Sequence, residues 1–427
     1  MQKKSMLALL LALTLILSGC ALQRVNEEKD AARVIIDVNG ETVTKGAFVT
    51  TVNNTWTQYQ YYNQLYSQYG MGDIYPTDAD TVIKEVADNY VSTLAARQKA
   101  REMGMYEFTE EEKASIQEKA KESYDSYLSQ VASNYLTDSA LEGDELTAAA
   151  EAYIAEHGMS TLDDFVKDQE NEAALDKLET LITADVTVSD EEVTASLNEK
   201  AEAAKAQYET NPDAYGTAVN GKSTVYYAPA GYRMVRHILI NVTDDERTAI
   251  QEARSALTTA ENNVKNAAED ADMDALNAAV AEAQQKLDEV KAPALAAVKE
   301  KADEVYALAT AEGADFTALI AEYSGDPAMP EGGYALREGY GEFVAEFTNG
   351  AMALEKVGDV SEPIATDYGY HIIRYDADVE EGVVDTEAVR DGIRDTLLTS
   401  KKNEKSSEAL QSWVDAADVK LYLDKVK

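Results

Sequence analysis

Apolar and polar positions alternate differently in three parts of the chain. Beyond Thr44, the residues Phe48, Val52, Trp56, Tyr59, Tyr62 and Tyr66 recur every three or four positions, the spacing of one helix face. Residues 78–103 repeat the pattern with Val82, Val86, Tyr90, Val91 and Leu94, and Gly104 follows as a stop. Thr109-Glu110-Glu111-Glu112 is a capping box, and Ser160-Thr161-Leu162-Asp163 and Ser189-Asp190-Glu191-Glu192 open two more helices. Ahead of these, VIIDVNGETV (residues 34–43) sets β-branched residues around Asn39-Gly40, a hairpin signal. The first part of the chain therefore reads as mainly helical. Its aromatic stripe is open to two readings: core packing, or a surface for holding unfolded chains.

The texture changes at Tyr226-Tyr227-Ala228-Pro229-Ala230-Gly231, a turn-rich boundary. YRMVRHILI (residues 232–240) then reads as a strand. Residues 246–290 are rich in Ala, Glu, Lys and Gln and contain neither Pro nor Gly. Ile250, Leu257 and Val264 are spaced by seven, and Leu276, Val280, Ala283, Leu287 and Val290 by four and three. These narrow seams predict an antiparallel helical hairpin with its turn at residues 269–272. Pro293 is expected to restart a helix, with Leu295, Val298, Ala302, Val305 and Leu308 facing a core. The last third mixes short helix and strand signals. A long helix follows over residues 386–416 with Val389, Ile393, Leu397 and Leu398 on its apolar side, and DVKLYLDKV suits a final strand.

Composition narrows the function classes. Against 38 Lys plus Arg stand 79 Asp plus Glu, a net charge of −41. Such a surface repels phosphate backbones and excludes nucleic acid as an expected partner. Lys3 and Lys4 precede an apolar run of twelve residues (6–17) that includes Thr14, too short a run for a comfortable membrane span, and then Leu17-Ser18-Gly19-Cys20. This beginning resembles a bacterial lipoprotein signal, which implies cleavage before Cys20 and lipidation of its thiol. An ordinary secretory signal with an incidental cysteine is the alternative. Cys20 is the chain's one cysteine, so no internal disulfide is expected.

Two of the three histidines lie in strand-like text, His237 in VRHILI and His371 in GYHIIR. Each shares its strand face with a large apolar neighbour two residues away: Val235 and Leu239 for His237, Ile373 for His371. Either one alone reads as a structural core histidine. Two in matched contexts, framing one α/β segment, point to a paired site.

VRHILI, DFTALIAEYSGDP, a double glycine, EFVAEF and VGDVSEPIATDYGYHIIRY follow one another in an order that resembles the parvulin family of peptidyl-prolyl isomerases. The resemblance covers about residues 233–375, without the hairpin. With the lipoprotein-like start, the helical N-terminal part and the returning C-terminal helix, the whole chain is similar to PrsA-type extracytoplasmic foldases, with SurA-like chaperones as neighbours. The resemblance implies that His237 and His371 form a hydrogen-bonded pair beneath the substrate, joined by Asp326 and Thr366 as the other catalytic positions. It implies a proline pocket with Phe347 and Phe343 as walls, Ala335 or Leu336 as the small apolar wall, and Tyr368 at the rim. Asp326 before Pro327 is also an ordinary turn former, and Phe347 would suit any core. The stretch after the double glycine, Tyr334-Ala335-Leu336-Arg337-Glu338, departs from the family pattern, which leaves the strength of the activity open. Thr243-Asp244-Asp245-Glu246 stands where some parvulins carry a basic phosphate-reading loop, so no preference for phosphorylated Ser/Thr-Pro is expected.

The expected fold is α+β and mainly helical. It comprises a signal peptide (1–19), a tether (20–32), a helical chaperone domain (33–228), a parvulin (FKBP-like α/β) domain (229–378) with a hairpin insertion (245–292), and a C-terminal helix (379–427) returning to the chaperone domain. The hairpin is either a spacer or an arm that contacts clients. The expected function is isomerisation and chaperoning of exported polypeptides with X-Pro bonds, outside the cytoplasmic membrane and anchored to it through Cys20. No metal or cofactor is expected, and a homodimer is left open. The rival readings are a holdase whose parvulin domain is catalytically weak, and a non-enzymatic interaction scaffold.

Overall fold

The computed structural model describes residues 27–137, 141–269 and 271–426. The expected signal segment 1–19, Cys20 with the first part of the expected tether, and Asp270 of the hairpin turn lie outside the described residues. Within the rest of the tether, Glu27–Ala31 is a short helix instead, held where Asp30 pairs with Lys45 at 2.9 Å and Arg33 at 3.1 Å. The strands in chain order are β1 (Val34–Val38), β2 (Glu41–Thr44), β3 (Tyr227–Ala228), β4 (Arg233–Asn241), β5 (Tyr334–Leu336), β6 (Ile364–Ala365), β7 (Gly369–Asp378), β8 (Gly382–Val383) and β9 (Val419–Leu421). All other described elements are helical, so the chain is mainly helical with small sheets. Two compact units divide it: one takes the chain up to Thr187 and again from Leu398, the other Val188–Leu397.

The first unit grows around the β1–β2 hairpin. Asn39 and Gly40 both take positive φ, 52° and 88°, as a two-residue turn between right-twisted strands requires. Strand β9 adds to the other edge of β1, giving the order β2-β1-β9. Thr44 caps helix Lys45–Gln68 by accepting from Ala47 N–H. The helix buries Phe48 against Ile35, Ile36, Val38, Val82 and Val86, with Val52, Trp56 and Tyr59 packed beside it. Tyr59 and Tyr62 gather around Tyr75, with ring centroids 4.8 and 5.6 Å away. Most of the aromatic stripe is thus a packing face. Helices Ala79–Glu102 and Glu110–Tyr135 start at Asp78 and at the Thr109–Glu112 capping box. Near the end of the long C-terminal helix, Trp413 packs on Ala100, Ala174 and Leu178.

The second unit opens with helix Asp190–Thr210, which packs Val193 and Leu197 on Val389 and Ile393 of helix Glu387–Ala416. Its sheet is antiparallel throughout, in the order β5-β4-β7-β6. The long β4–β7 ladder runs from Arg233↔Asp378 to Asn241↔Gly369. Side chains alternate across it. Ile238, Ile240 and Ile372 point to one face, covered by Ala302, Val305 and Phe316. Val235, Tyr334, Leu336 and Ile373 point to the other, under Phe347 and Ala351 of helix Ala345–Met352. His237 and His371 belong to this second face.

The hairpin consists of helices Asp244–Lys265 and Met273–Ala309, zipped by Ile250, Leu257, Ala260, Ala283 and Leu287. Two expectations are corrected. Helix Met273–Ala309 continues through Pro293 rather than restarting there. The missing N–H is tolerated because Leu287 and Val290 before it, and Ala294, Leu295 and Val298 after it, are held in one cluster. Leu308 is exposed, and its neighbour Ala309 takes the core position.

Ile372 is fully buried in the centre of the sheet. Ile372→Ala leaves a cavity there and is expected to lower the stability of this unit by roughly 2–5 kcal/mol in urea unfolding.

Candidate active site

The β4–β7 register sets the two histidines diagonally. His237 lies opposite Ile373, and His371 opposite Leu239, so both rings leave the sheet on the same face two residues out of step. Their Nδ1 atoms meet at 3.0 Å, and the rings lie nearly parallel with centroids 5.0 Å apart. On the far side of His237, Nε2 is 2.8 Å from Asp326 Oδ2. The Tyr334 hydroxyl donates to that same oxygen at 2.7 Å. On the far side of His371, Nε2 is 2.9 Å from Thr366 Oγ1, which also accepts from Tyr368 N–H at 3.1 Å. His237, His371 and Thr366 are all buried.

The end groups determine the direction of this chain of bonds. The Asp326 carboxylate only accepts, so His237 Nε2 carries a proton, and in the neutral tautomer Nδ1 is then the acceptor. His371 Nδ1 then donates, and His371 Nε2 accepts from the Thr366 hydroxyl. Taken with both rings neutral, each contact of this chain has one donor and one acceptor. Burial, reinforced by the neighbouring His237 ring, holds the His371 pKa down to about 3. Burial alone would raise the Asp326 carboxyl. Hydrogen bonds from His237, Tyr334 and Ala328 N–H outweigh it and keep Asp326 well below the usual carboxylate range. Burial and the Asp326 charge push the Tyr334 hydroxyl above its ordinary value.

Above this floor lies a cavity of about 270 Å³ lined by His237, Leu239, Asp326, Tyr334, Glu342, Phe343, Val344, Phe347, Tyr368 and His371. Phe347 stands steeply inclined to both imidazoles, with centroids 5.1 Å from His237 and 5.0 Å from His371. Phe343 stands 5.4 Å from Phe347 and 4.7 Å from Tyr334. The half-exposed Tyr368 forms the rim. The cavity thus offers aromatic walls, an apolar interior and a polar floor whose donors and acceptors are already engaged with one another. Such a site can grip a small apolar ring and present a fixed electrostatic field.

His237, Asp326, Phe343, Phe347, Tyr368 and His371 all line the cavity, and Thr366 joins from below through His371. Ala335 and Leu336 do not reach it. Ala335 lies on the opposite sheet face among Tyr208, Tyr215 and Tyr232, and its backbone is held by Asn220. Leu336 is fully buried against Val235 and Ile373. The wall expected from them is made by Tyr334, which pairs with Val235 and therefore shares the histidine face. Tyr334, Leu239, Glu342 and Val344 were not expected in the site. The alternation of β5 was the signal for Tyr334, since Gly332-Gly333 ends the preceding loop and the first strand residue points inward.

Residues 284–377 match the family described as Rotamase: PPIC-type PPIASE domain, and the chain carries a domain of that kind. The match begins inside the second arm of the hairpin. Strand β4 and His237 therefore lie before it, and the fold returns them to it as the partner of β7. The chain is similar to the foldase protein PrsA of Caldanaerobacter subterraneus subsp. tengcongensis, 36% identical over 119 residues, covering 27% of this chain and 37% of that protein. It is likewise similar to the foldase protein PrsA of Geobacillus sp. (strain WCH70), 38% identical over 116 residues with the same shares. It thus matches only 37% of the length of these curated relatives. Among solved structures, PrsA from Bacillus subtilis is 17% identical, with 90% of this chain and 91% of that chain covered at a TM-score of 0.21.

The neutral His371 ring predicts a pH dependence. In the unfolded chain this ring takes a proton below about pH 6.5, whereas in the fold it resists protonation down to about 3. The unfolded state therefore binds more protons between these values, so stability is complete above 6.5 and falls as pH drops toward 3. The unfolding free energy of the wild type is expected to fall by on the order of 3 kcal/mol between pH 6.5 and 4 through this group. His371→Gln should show a shallower slope over the same window in urea titrations.

Proposed function

We propose that this chain is a peptidyl-prolyl cis-trans isomerase and chaperone for exported polypeptides, acting at the cavity above His237 and His371. The observation that carries the reading is the closed chain of hydrogen bonds from Thr366 to Asp326 under aromatic walls, in a segment overlapping the PPIC-type match.

The chemistry needs no bond to break. An X-Pro peptide must rotate over a barrier of about 18–20 kcal/mol set by amide resonance. The planar amide is charge-separated and the twisted one less so, which makes an apolar cavity a better solvent for the twisted form. Phe343, Phe347 and Tyr334 hold the proline ring, and Leu239 and Val344 keep water from it. The imidazole chain holds its dipoles still while the peptide turns, so no reorganisation is required at the top of the barrier. Within this reading His237, His371, Asp326 and Thr366 build the floor, Phe343, Phe347, Tyr334 and Tyr368 bind, and the helices of the first unit hold unfolded segments. Cys20, once lipidated, anchors the chain outside the cytoplasmic membrane.

Full-length protein is expected to accelerate isomerisation of an X-Pro peptide in a protease-coupled assay, and a rate equal to buffer would refute the enzyme reading. His371→Gln and Phe347→Ala should each lower kcat/KM about 10–100-fold, the kinetic equivalent of a lost buried partner. Suppression of aggregation by His371→Gln should match wild type, because holding a chain does not use the imidazoles. Cys20→Ser should move the chain from the membrane to the soluble fraction on cell fractionation, and retention in the membrane would exclude the lipid anchor.

A further inference from the structure

The inserted hairpin meets the site at Asp367. Asp367 sits in the turn between β6 and β7, between Thr366, which ends the imidazole chain, and Tyr368, which lines the cavity. Its carboxylate is held from both arms of the hairpin. Arg254 donates from Nε to Oδ2 at 2.7 Å and from Nη2 to Oδ1 at 3.0 Å, while Lys291 Nζ reaches Oδ1 at 2.6 Å. Only 14% of the Asp367 side chain is exposed. Burial raises its pKa, but the two cations more than offset that and keep it below the ordinary value.

The placement of the two cations follows from the hairpin core. Arg254 stands four residues after Ile250, and Lys291 four after Leu287, so each lies one helical turn from a buried seam residue. A second tie joins the same parts. Val242, buried in that seam cluster, donates its N–H to Tyr368 O at 3.1 Å. The turn then leaves through Gly369, with φ 134°, where an added Cβ would lie 2.0 Å from Ile240 O. An ion-paired triad elsewhere in a protein has no bearing on a site. Here the clamped carboxylate belongs to the tripeptide whose other two side chains enter the site.

We propose that Arg254, Lys291 and Asp367 are positioning residues for the cavity, and that the inserted hairpin is the frame that holds residues 366–368 in place. The frame keeps the Thr366 hydroxyl on His371 Nε2 and Tyr368 at the rim. The two-pronged Arg254 contact fixes direction as well as distance, which a single ammonium does not. The proposal rests on the isomerase reading for its kinetic consequence. Its structural consequence, the seating of Thr366 on His371, is independent of that reading.

The test uses full-length Asp367→Asn, Arg254→Met, Arg254→Lys and Lys291→Met. Asp367→Asn and Arg254→Met should lower kcat/KM for an X-Pro peptide about tenfold, mostly in kcat, because the aromatic walls still bind the ring. Arg254→Lys, which keeps the charge and loses the fork, should recover part of the loss. The His371 imidazole ¹⁵N signals should shift in Asp367→Asn as the Thr366 hydroxyl leaves Nε2. If Asp367→Asn does not fold, Arg254→Lys and Lys291→Met report the same two quantities. Wild-type kcat/KM and unchanged imidazole signals in folded variants, even with a lowered Tm, would overturn the proposal. If the wild type itself shows no isomerisation, the functional reading fails, and the imidazole signals alone still decide the clamp.

Discussion

The hydrogen bond between Nδ1 of His237 and Nδ1 of His371 is the constraint on which the second unit turns. Two identical ring atoms face each other at 3.0 Å, so one must donate and the other accept. That excludes a doubly protonated pair and ties the tautomer of each ring to the other. It also fixes the sheet. A slip of one residue between β4 and β7 would send one ring to the face packed by Ala302, Val305 and Phe316, leaving a buried polar group without a partner. The Ile372 and Ile238 packing on that face enforces the same register from the other side. Apolar burial and polar pairing therefore select one alignment of the strands.

This alignment joins segments far apart in the chain, with a long helical insertion between them. An insertion of flexible chain at that point would raise the entropy of closing β4 on β7 only slowly with its length. An antiparallel helical hairpin avoids most of that cost, because its two arms bring the chain back close to where it left. The seam of Ile250, Leu257, Ala283 and Leu287 does this locally. It also explains how Pro293 is accommodated: the same seam grips the helix before and after it.

Much of this was legible in the sequence, for identifiable reasons. The caps at Thr44, Asp78, Thr109 and Ser189 mark real helix starts, because a side-chain oxygen accepting from the first turn is a local interaction that needs nothing else. The heptad spacing of Ile250 and Leu257 likewise encodes its own partner. The fate of Pro293 and the exposure of Leu308 were not legible, because both depend on what lies against the helix. A motif aligned by its double glycine does not specify which strand face comes first, which puts Ala335 on the wrong face, while Leu336 shares the histidine face but is spent in the core against Val235 and Ile373. The pairing of Tyr334 with Val235 decides the face. Thr243-Asp244-Asp245-Glu246 carries a second meaning that its charge conceals: Thr243 and Glu246 form the capping box of the hairpin's first arm.

Asp326 shows why two readings of one residue need not compete. As a turn former before Pro327 it accepts the Ala328 N–H on Oδ1 at 2.9 Å. As a site residue it accepts from His237 and Tyr334 on Oδ2. A carboxylate has lone pairs enough for both tasks, and each strengthens the other. The turn fixes the carboxylate in orientation, and a fixed carboxylate settles which nitrogen of His237 bears the proton. That choice passes through His371 to the Thr366 hydroxyl. Under the proposed isomerase reading, in which no proton need move, a floor with nothing left to donate is an advantage. It cannot compete for the peptide's hydrogen bonds in the ground state, and its field is already in place when the bond twists.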